Sequence, residues 1–354
     1  MKNKILISTG GSGGHVIPAT ILCDHLSKEN DIIISTDKRG RRFINGDSFK
    51  IKIIDTPKLN SIFLLPINFF KIFILIIQSI FFLKKEKINK IFSTGGYMSV
   101  PLIIASRFLN LKIYLLEPNL ILGRANKYFL SSCEKIFCYT DKIKNFPDNL
   151  KKKIVIIDPL IRKNFYQLKK KDNKNHKFTI LIVGGSQGAR IFDDSVKEAL
   201  AILSKEFQLK IIHQTSKKNI FSLAEFYSSF EIENLIFDFN DDFIKILEQT
   251  DLCITRAGAS TLAELSISNI PFIAVPLPTS KDNHQFENAN FYEKKKCCWI
   301  IDEKIFRDTI KELLRDIFTN KSVFFEKKDN LKKLNYQNSW INVNQKILDN
   351  INEN

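Results

Sequence analysis

Short apolar runs of four to six residues recur along the chain, separated by stretches with helical spacing or turn residues. In the first half they fall at residues 4–9, 32–35, 51–54, 90–93, 112–116, 136–139 and 154–157. Runs of this length, rich in Ile, Val and Phe and without strict alternation, predict strands covered on both faces. A helix is expected from about residue 18 to 27, with Pro18 in its first turn. A polar, Lys- and Asn-rich stretch at about 163–177 then reads as a linker, and the pattern restarts. Strands are expected at 178–183, 209–213, 235–237, 251–255, 272–275 and 299–301, with a helix over 193–203. Strands alternating with helices predict a parallel α/β sheet in each half. The economical architecture is α/β: two doubly wound Rossmann-like domains facing across a cleft, with ligands at the carboxyl ends of the strands. The expected organisation is a first domain over 1–162, a second over 163–338, and a closing helix over 339–354 that packs back on the first domain.

One segment breaks this rhythm. Residues 62–83 are almost wholly apolar, interrupted by Pro66, Asn68, Lys71, Gln78 and Ser79. The length could span a bilayer. A Pro and a Lys within it argue against a span, and Asn68, Lys71, Gln78 and Ser79 fall near one helical face. An amphipathic helix fits better, one that packs its polar stripe inward or dips its Phe and Ile face into the membrane interface, with Lys84, Lys85 and Lys87 at the headgroups. A core helix is the alternative.

Composition adds charge. The chain of 354 residues carries 54 Lys and Arg against 38 Asp and Glu, a formal net charge of +16. An excess of this size favours nucleic acid, an anionic membrane surface or phosphorylated substrates as partners. Lys-rich compositional bias accounts for part of it. The six cysteines form no Cys-x-x-Cys and have no His at zinc-ligand spacing, so reduced, buried thiols and no metal site are expected. The amino terminus enters a strand without a signal-peptide apolar region, which predicts a chain that is not secreted.

Glycine is scarce, at 13 residues, so its clusters are informative. A strand that ends in glycines and opens a helix presents free backbone N–H groups and the positive end of the helix dipole to an anion. Three such places occur: residues 10–14, 184–188 and 256–261. The first fails the dinucleotide fingerprint because position 16 is Val, although Asp37 stands where a ribose-binding acid would, and no Walker A loop is present. At the third, Glu264 lies one turn beyond Ser260, where the ribose of a bound nucleotide would fall; a solvated first-turn Glu is the plainer reading. His15 closes the first loop and Glu117 ends a strand, so either could serve as a general base. Asp282, Asn283, His284 and Gln285 follow the rigid Pro276-Leu277-Pro278. Without an Asp-x-Asp motif, a nucleotide-sugar enzyme here would stabilise its leaving diphosphate with helix ends and cations such as Arg162.

These residues resemble the MurG family of bacterial glycosyltransferases. The resemblance is carried by Gly10-Gly11-Ser12-Gly13-Gly14-His15-Val16-Ile17-Pro18-Ala19, Gly95-Gly96-Tyr97-Met98-Ser99-Val100-Pro101, Glu117-Pro118-Asn119 and Gly184-Gly185-Ser186-Gln187-Gly188-Ala189-Arg190. His213-Gln214-Thr215, Arg256-Ala257-Gly258-Ala259 through Glu264, and Pro276-Leu277-Pro278 through His284-Gln285 extend it in order over nearly the whole chain. It implies a GT-B fold and transfer of N-acetylglucosamine from UDP-GlcNAc to lipid-linked muramyl-pentapeptide in peptidoglycan synthesis. It further implies inversion at the sugar, no cofactor, no tightly bound metal, and a peripheral place on the cytoplasmic face of the inner membrane. The implied ligand contacts are Ser12, Gly13, Gly14, Asn119, Arg162, Ser186, Asn240, Ala259, Ser260, Thr261, Leu262, Ala263, Glu264 and Gln285, with His15 and then Glu117 as catalytic candidates. The chain departs from the family pattern at Ser12 (usually Thr), Pro118 (Gln), Asp158-Pro159-Leu160-Ile161-Arg162 (a Gly-Asn-Pro-x-Arg pattern) and His284 (Gln). A glycolipid synthase or a UDP-sugar epimerase of the same fold is the enzymatic alternative. A basic nucleic-acid-binding protein is disfavoured, because no basic groove with interleaved aromatics is found.

Overall fold

A computed structural model of the chain describes residues 2–44, 49–57, 65–168, 177–184, 190–238, 240, 242–335 and 337–353. The chain divides into two compact units, Met1–Ile161 with Ser339–Asn354, and Arg162–Asn338. The expected boundary shifts by one residue, so that Arg162 opens the second unit instead of closing the first.

The first unit alternates β1 (Lys4–Ser8), α1 (Gly13–Leu26), β2 (Asp31–Thr36), the single turn α2 (Lys38–Arg41), β3 (Lys50–Ile53), α3 (Leu65–Lys85) and β4 (Lys90–Ser93). It continues with α4 (Val100–Phe108), β5 (Lys112–Glu117), α5 (Arg124–Phe129), β6 (Lys135–Cys138) and β7 (Ile154–Ile156). All seven strands are parallel, in the order β3-β2-β1-β4-β5-β6-β7. Ile5 pairs with Ile32 on one side of β1 and lies opposite Lys90 on the other. The strand order reverses between β1 and β4. Crossover loops diverge at such a point and leave a crevice at the strand ends. The loops that follow these two strands carry Gly10–Gly14 and Thr94-Gly95-Gly96.

The second unit contains β8 (Phe178–Val183), α6 (Arg190–Leu203), β9 (Leu209–Gln214), α7 (Ile220–Ser229), β10 (Glu233–Phe237), α8 (Phe243–Gln249) and β11 (Leu252–Thr255). After these come α9 (Ala259–Ile267), β12 (Phe272–Ala274), α10 (His284–Glu293), β13 (Cys298–Ile300), α11 (Phe306–Thr319) and α12 (Lys321–Leu334). Its six strands are parallel in the order β10-β9-β8-β11-β12-β13, reversing between β8 and β11. Again the two glycine segments follow the strands at the reversal. The chain then returns to the first unit as α13 (Trp340–Asn352), whose Val343, Ile347, Leu348 and Ile351 join the core cluster of Ile5, Ile7, Leu22 and Tyr114.

Three local expectations change. α1 begins at Gly13, so Pro18 sits inside the helix. Proline there removes the bond to the Gly14 carbonyl. The first turn is held instead by the Ser12 carbonyl, which accepts from the His15 and Val16 amides at 3.1 and 3.3 Å. The expected linker begins as a folded turn, Lys163–Gln167, with Phe165 buried; residues 169–176 of it lie outside the described residues. The polar residues of α3 do not share one environment: Asn68 and Ser79 are buried, whereas Lys71 and Gln78 are exposed. At 100° per residue Asn68 and Ser79 lie within 20° of each other, and the other two are displaced to the rim. Leu75, Ile76, Ile80 and Leu83 pack with this buried side against Leu102 and Ile103 of α4.

Candidate functional site

In the first unit, β1 ends at a loop braced from below. The Asp37 carboxylate at the end of β2 is buried, and its Oδ1 accepts from the Gly11 and Gly40 amides at 2.8 Å each. Its Oδ2 accepts from Arg39 Nε at 3.0 Å. Burial pushes this carboxyl up, but the two amides and Arg39 outweigh that and hold it below the ordinary range. Asp37 is thus committed to the loop and is not a ribose acid. Ser12 stands at the N-cap of α1 in extended conformation without a side-chain cap bond. A Cβ on Gly14 would meet only Ser12 Oγ, at 3.7 Å. Ser12, Gly13 and Gly14 thus stand at the amino end of a 14-residue helix, where the positive end of the dipole lies.

His15 sits in this first turn, half-buried, with Nδ1 2.7 Å from the Thr94 carbonyl oxygen. A carbonyl only accepts, so Nδ1 carries the proton and the imidazole lone pair is at Nε2. Gly95 follows Thr94 with φ +88°, a conformation that favours glycine. A Cβ there would lie 3.4 Å from His15 Cε1 and 3.5 Å from Asn126 Nδ2.

Glu117, at the end of β5, is only 2 % exposed. Its Oε1 accepts from the Asn119 amide at 3.2 Å and from Asn119 Nδ2 at 3.1 Å. Its Oε2 accepts from the Gly123 amide at 2.7 Å and from Asn126 Nδ2 at 3.0 Å. Burial pushes the carboxyl up and the four donors pull it back, leaving a net rise. Glu117, the second candidate base, thus accepts hydrogen bonds from residues 119, 123 and 126. Asn119 is held in the same network.

In the second unit, α9 starts at Ala259 with Gly258 as an N-cap that offers no side chain. A Cβ on Gly258 would meet nothing within 4 Å. Ser260 Oγ is buried and has no hydrogen-bond partner among the described residues. Ala259, Ser260 and Thr261 form the open first turn, while Leu262 and Ala263 are buried in the body of the helix. Glu264, one turn on, is 6 % exposed. The plainer expectation of a solvated first-turn glutamate does not hold. Arg162 donates to Glu264 Oε1 through Nε at 3.1 Å and Nη2 at 2.8 Å, while its guanidinium lies 4.8 Å from the Phe165 ring centroid. Both bonds fall on Oε1. Burial raises the Glu264 carboxyl, and Arg162 draws it back.

Gln285, in the first turn of α10, accepts the Leu277 amide on Oε1 at 2.9 Å. Only an oxygen can accept there, so Nε2 is left as the donor of this carboxamide. Asp282 and Asn283 precede it with φ of +54° and +58°. Asn240 Oδ1 is engaged locally by the Asp242 amide at 2.8 Å. Ser186 lies outside the described residues. Among the described residues, no group of three or more His, Cys, Asp or Glu side chains is arranged to hold a metal ion.

One buried network was not singled out from sequence. His213, wholly buried at the end of β9, places Nδ1 3.0 Å from Tyr227 Oη and Nε2 3.2 Å from Asp193 Oδ1. Asp193 Oδ2 also accepts from Thr215 Oγ1 at 2.6 Å and Asn219 Nδ2 at 3.0 Å. The network ties the first turn of α6, just after the second glycine segment, to the strand beside it. Its only sequence signal was the polar His213-Gln214-Thr215 at the end of an apolar run.

Comparison with known proteins covers the whole chain. Residues 5–138 match the glycosyltransferase family 28 N-terminal domain and residues 179–339 the glycosyltransferase family 28 C-terminal domain. A protein of Pelagibacter ubique is 49% identical over 100% of both chains. One of Rickettsia felis is 32% identical over 93% of this chain and 95% of its own. Both are named UDP-N-acetylglucosamine–N-acetylmuramyl-(pentapeptide) pyrophosphoryl-undecaprenol N-acetylglucosamine transferase. Among solved structures, Acinetobacter baumannii MurG superposes with a TM-score of 0.78 at 23% identity, over 99% of this chain and 98% of that one, which shows the GT-B fold.

Proposed function

The chain belongs to glycosyltransferase family 28, and from that premise we propose the following reaction. It moves N-acetylglucosamine from UDP-GlcNAc to the 4-hydroxyl of the muramyl sugar in undecaprenyl-diphosphate-linked MurNAc-pentapeptide, inverting the anomeric carbon. The observation that carries the donor half is the start of α9. An open helix end supplies N–H groups and positive dipole for the UDP diphosphate. The buried Glu264, one turn on and gripped through one oxygen by Arg162, has Oε2 to accept the ribose hydroxyls. Gln285 offers its Nε2 amide to the sugar, and Ser186 and Asn240 complete the expected donor contacts. Negative charge that develops on the departing UDP is stabilised by the helix end.

The first unit takes the acceptor at Ser12, Gly13, Gly14 and Asn119. His15 is the general base: with its proton held at Nδ1 by Thr94, Nε2 removes the proton of the acceptor hydroxyl as that oxygen bonds to C1 and the C1–O bond to UDP breaks. The acceptor is lipid-linked, so the enzyme works at a membrane surface. α3 supports that reading. Pro66–Lys85 is long and apolar enough to cross a membrane, but its inner side is packed in the first unit, as the crossover between two strands of one sheet. Its outer side presents Ile67, Phe69, Phe70, Phe73, Ile74, Ile77 and Phe81 to solvent, with Lys84, Lys85 and Lys87 at its end. Such a helix dips an apolar face into the interface of an anionic bilayer on the cytoplasmic side.

A donor and acceptor screen tests the assignment. Purified protein is given a panel of labelled UDP-sugars with the lipid-diphosphate acceptor, in detergent with EDTA. Transfer of N-acetylglucosamine alone is expected. Transfer to diacylglycerol in its place would move the chain to glycolipid synthesis and leave the fold assignment untouched.

A further inference from the structure

We propose that Glu117 is a positioning residue for the acceptor: a fixed anion that shapes residues 118–123, holds them to α5, and carries no proton in the reaction. The proposal rests on the transferase reading above and deepens its acceptor half.

An ionised carboxylate has about four acceptor directions. All four at Glu117 are met by N–H groups of three residues, at 2.7–3.2 Å. A proton on either oxygen would point at one of these donors, so the arrangement requires the anion. A group whose lone pairs are all engaged cannot also take a substrate proton.

The four donors form a device. Asn119 bonds Glu117 through both its backbone and its side chain, which sets its carboxamide with Nδ2 turned toward the anion. Gly123 approaches so closely that a Cβ there would stand 2.9 Å from Glu117 Oε2. Asn126 is 2 % exposed and spends Nδ2 on both Glu117 Oε2 and the Leu116 carbonyl, each at 3.0 Å. The same carboxamide backs Gly95, whose other neighbour is the His15 ring, and Gly95 follows the Thr94 carbonyl that sets the His15 tautomer. Through Asn119 the anion places an acceptor contact. Through Asn126 and Gly95 it supports the wall against which the base rests.

The test is Glu117→Gln beside His15→Gln. Whichever way the new carboxamide turns, its NH2 meets two N–H donors. Acceptor kcat/KM should fall by about tenfold or more, chiefly through acceptor KM, since hydrogen bonds to a charged group are lost. The KM for UDP-GlcNAc should not move. The acid limb of the pH–rate profile should persist in Glu117→Gln and vanish in His15→Gln. Amide hydrogen exchange over residues 118–126 should accelerate in Glu117→Gln and stay unchanged in the second unit. Loss of kcat at unchanged acceptor KM together with loss of the acid limb would make Glu117 the base and overturn the proposal. Unchanged exchange over 118–126 would overturn it too. Should Glu117→Gln fail to accumulate, Asn126→Ala is expected to give the same exchange and acceptor-KM response, and no response would count against the idea. A wild-type protein inactive on the lipid-linked acceptor would defeat the transferase reading alone; the exchange experiment would still decide the anion's role.

Discussion

Two carboxylates at strand and helix ends, Glu117 and Glu264, are both buried and both shifted upward, yet their surroundings divide their tasks. Glu117 meets four N–H donors, whereas among the described residues the hydrogen bonds to Glu264 come from one guanidinium on one oxygen. Glu264→Ala should therefore weaken UDP binding by about tenfold or more, the worth of hydrogen bonds to a charged acceptor, with the melting temperature little changed. Arg162→Met tests the grip. Without the guanidinium the carboxyl rises further above the ordinary range, because burial is then unopposed. The pH below which UDP affinity fades should move upward relative to wild type, as isothermal titration across pH 5–8 would show. An unmoved profile would remove Arg162 from this role. The sequence placed Glu264 one turn after Ser260, and α9 puts it there. It could not show the partner, which lies 102 residues away in the chain. The same limit applied to Glu117: a carboxylate at a strand end is legible as a candidate base, while its commitment to Gly123 and Asn126 depends on how the following loop closes.

At the scale of elements, the apolar runs located the thirteen strands found among the described residues, because strands buried on both faces carry the signal in composition alone. Helix starts were less legible. α1 begins five residues before Pro18, since the glycine segment itself supplies the first turn. α3 shows what periodicity can and cannot say. Its amphipathic character was readable; of the polar stripe expected inward, Asn68 and Ser79 are buried and Lys71 and Gln78 are not, and the broad Phe and Ile arc faces out. No soluble core would leave Phe70 and Phe81 at 64 % and 68 % exposure on one helix face without a use. Phe70→Glu with Phe81→Glu should abolish co-sedimentation with vesicles containing anionic lipid, through both lost apolar burial and added repulsion. Because both side chains already point to solvent, stability and activity on a detergent-dispersed acceptor should remain near wild type. Undiminished vesicle binding would exclude this face as the docking surface.

For the whole molecule, the decisive feature is that the first unit is discontinuous. The chain leaves it at Ile161, builds the second unit, and returns at Ser339. Ser339 caps α13 by accepting from the Asn342 amide, and Trp340 stacks on His25 of α1 with centroids 3.7 Å apart. At the far end, the Ile351 carbonyl accepts from Lys90 Nζ at 2.6 Å, and Lys135 bonds Asn350 and Glu353. A buried ammonium at a helix carboxyl end meets both the unsatisfied carbonyls and the negative end of the dipole. Val343, Ile347, Leu348 and Ile351 bury their side chains against the sheet. At about 1.5–3 kcal/mol each, these four are worth roughly 6–12 kcal/mol as an upper estimate. That matches the entire stability of a typical domain, about 5–15 kcal/mol. Deleting residues 339–354 should therefore unfold the first unit and spare the second, whose core cluster contains none of α13. Hydrogen exchange should show lost protection across β1, β4 and β5 and retained protection across β8, β9 and β11. Ligand binding then separates in the same way: UDP affinity survives and acceptor and vesicle binding disappear. Joint loss of protection in both units would instead mean that the second unit depends on the first for its stability, and that the C-terminal helix secures the whole chain.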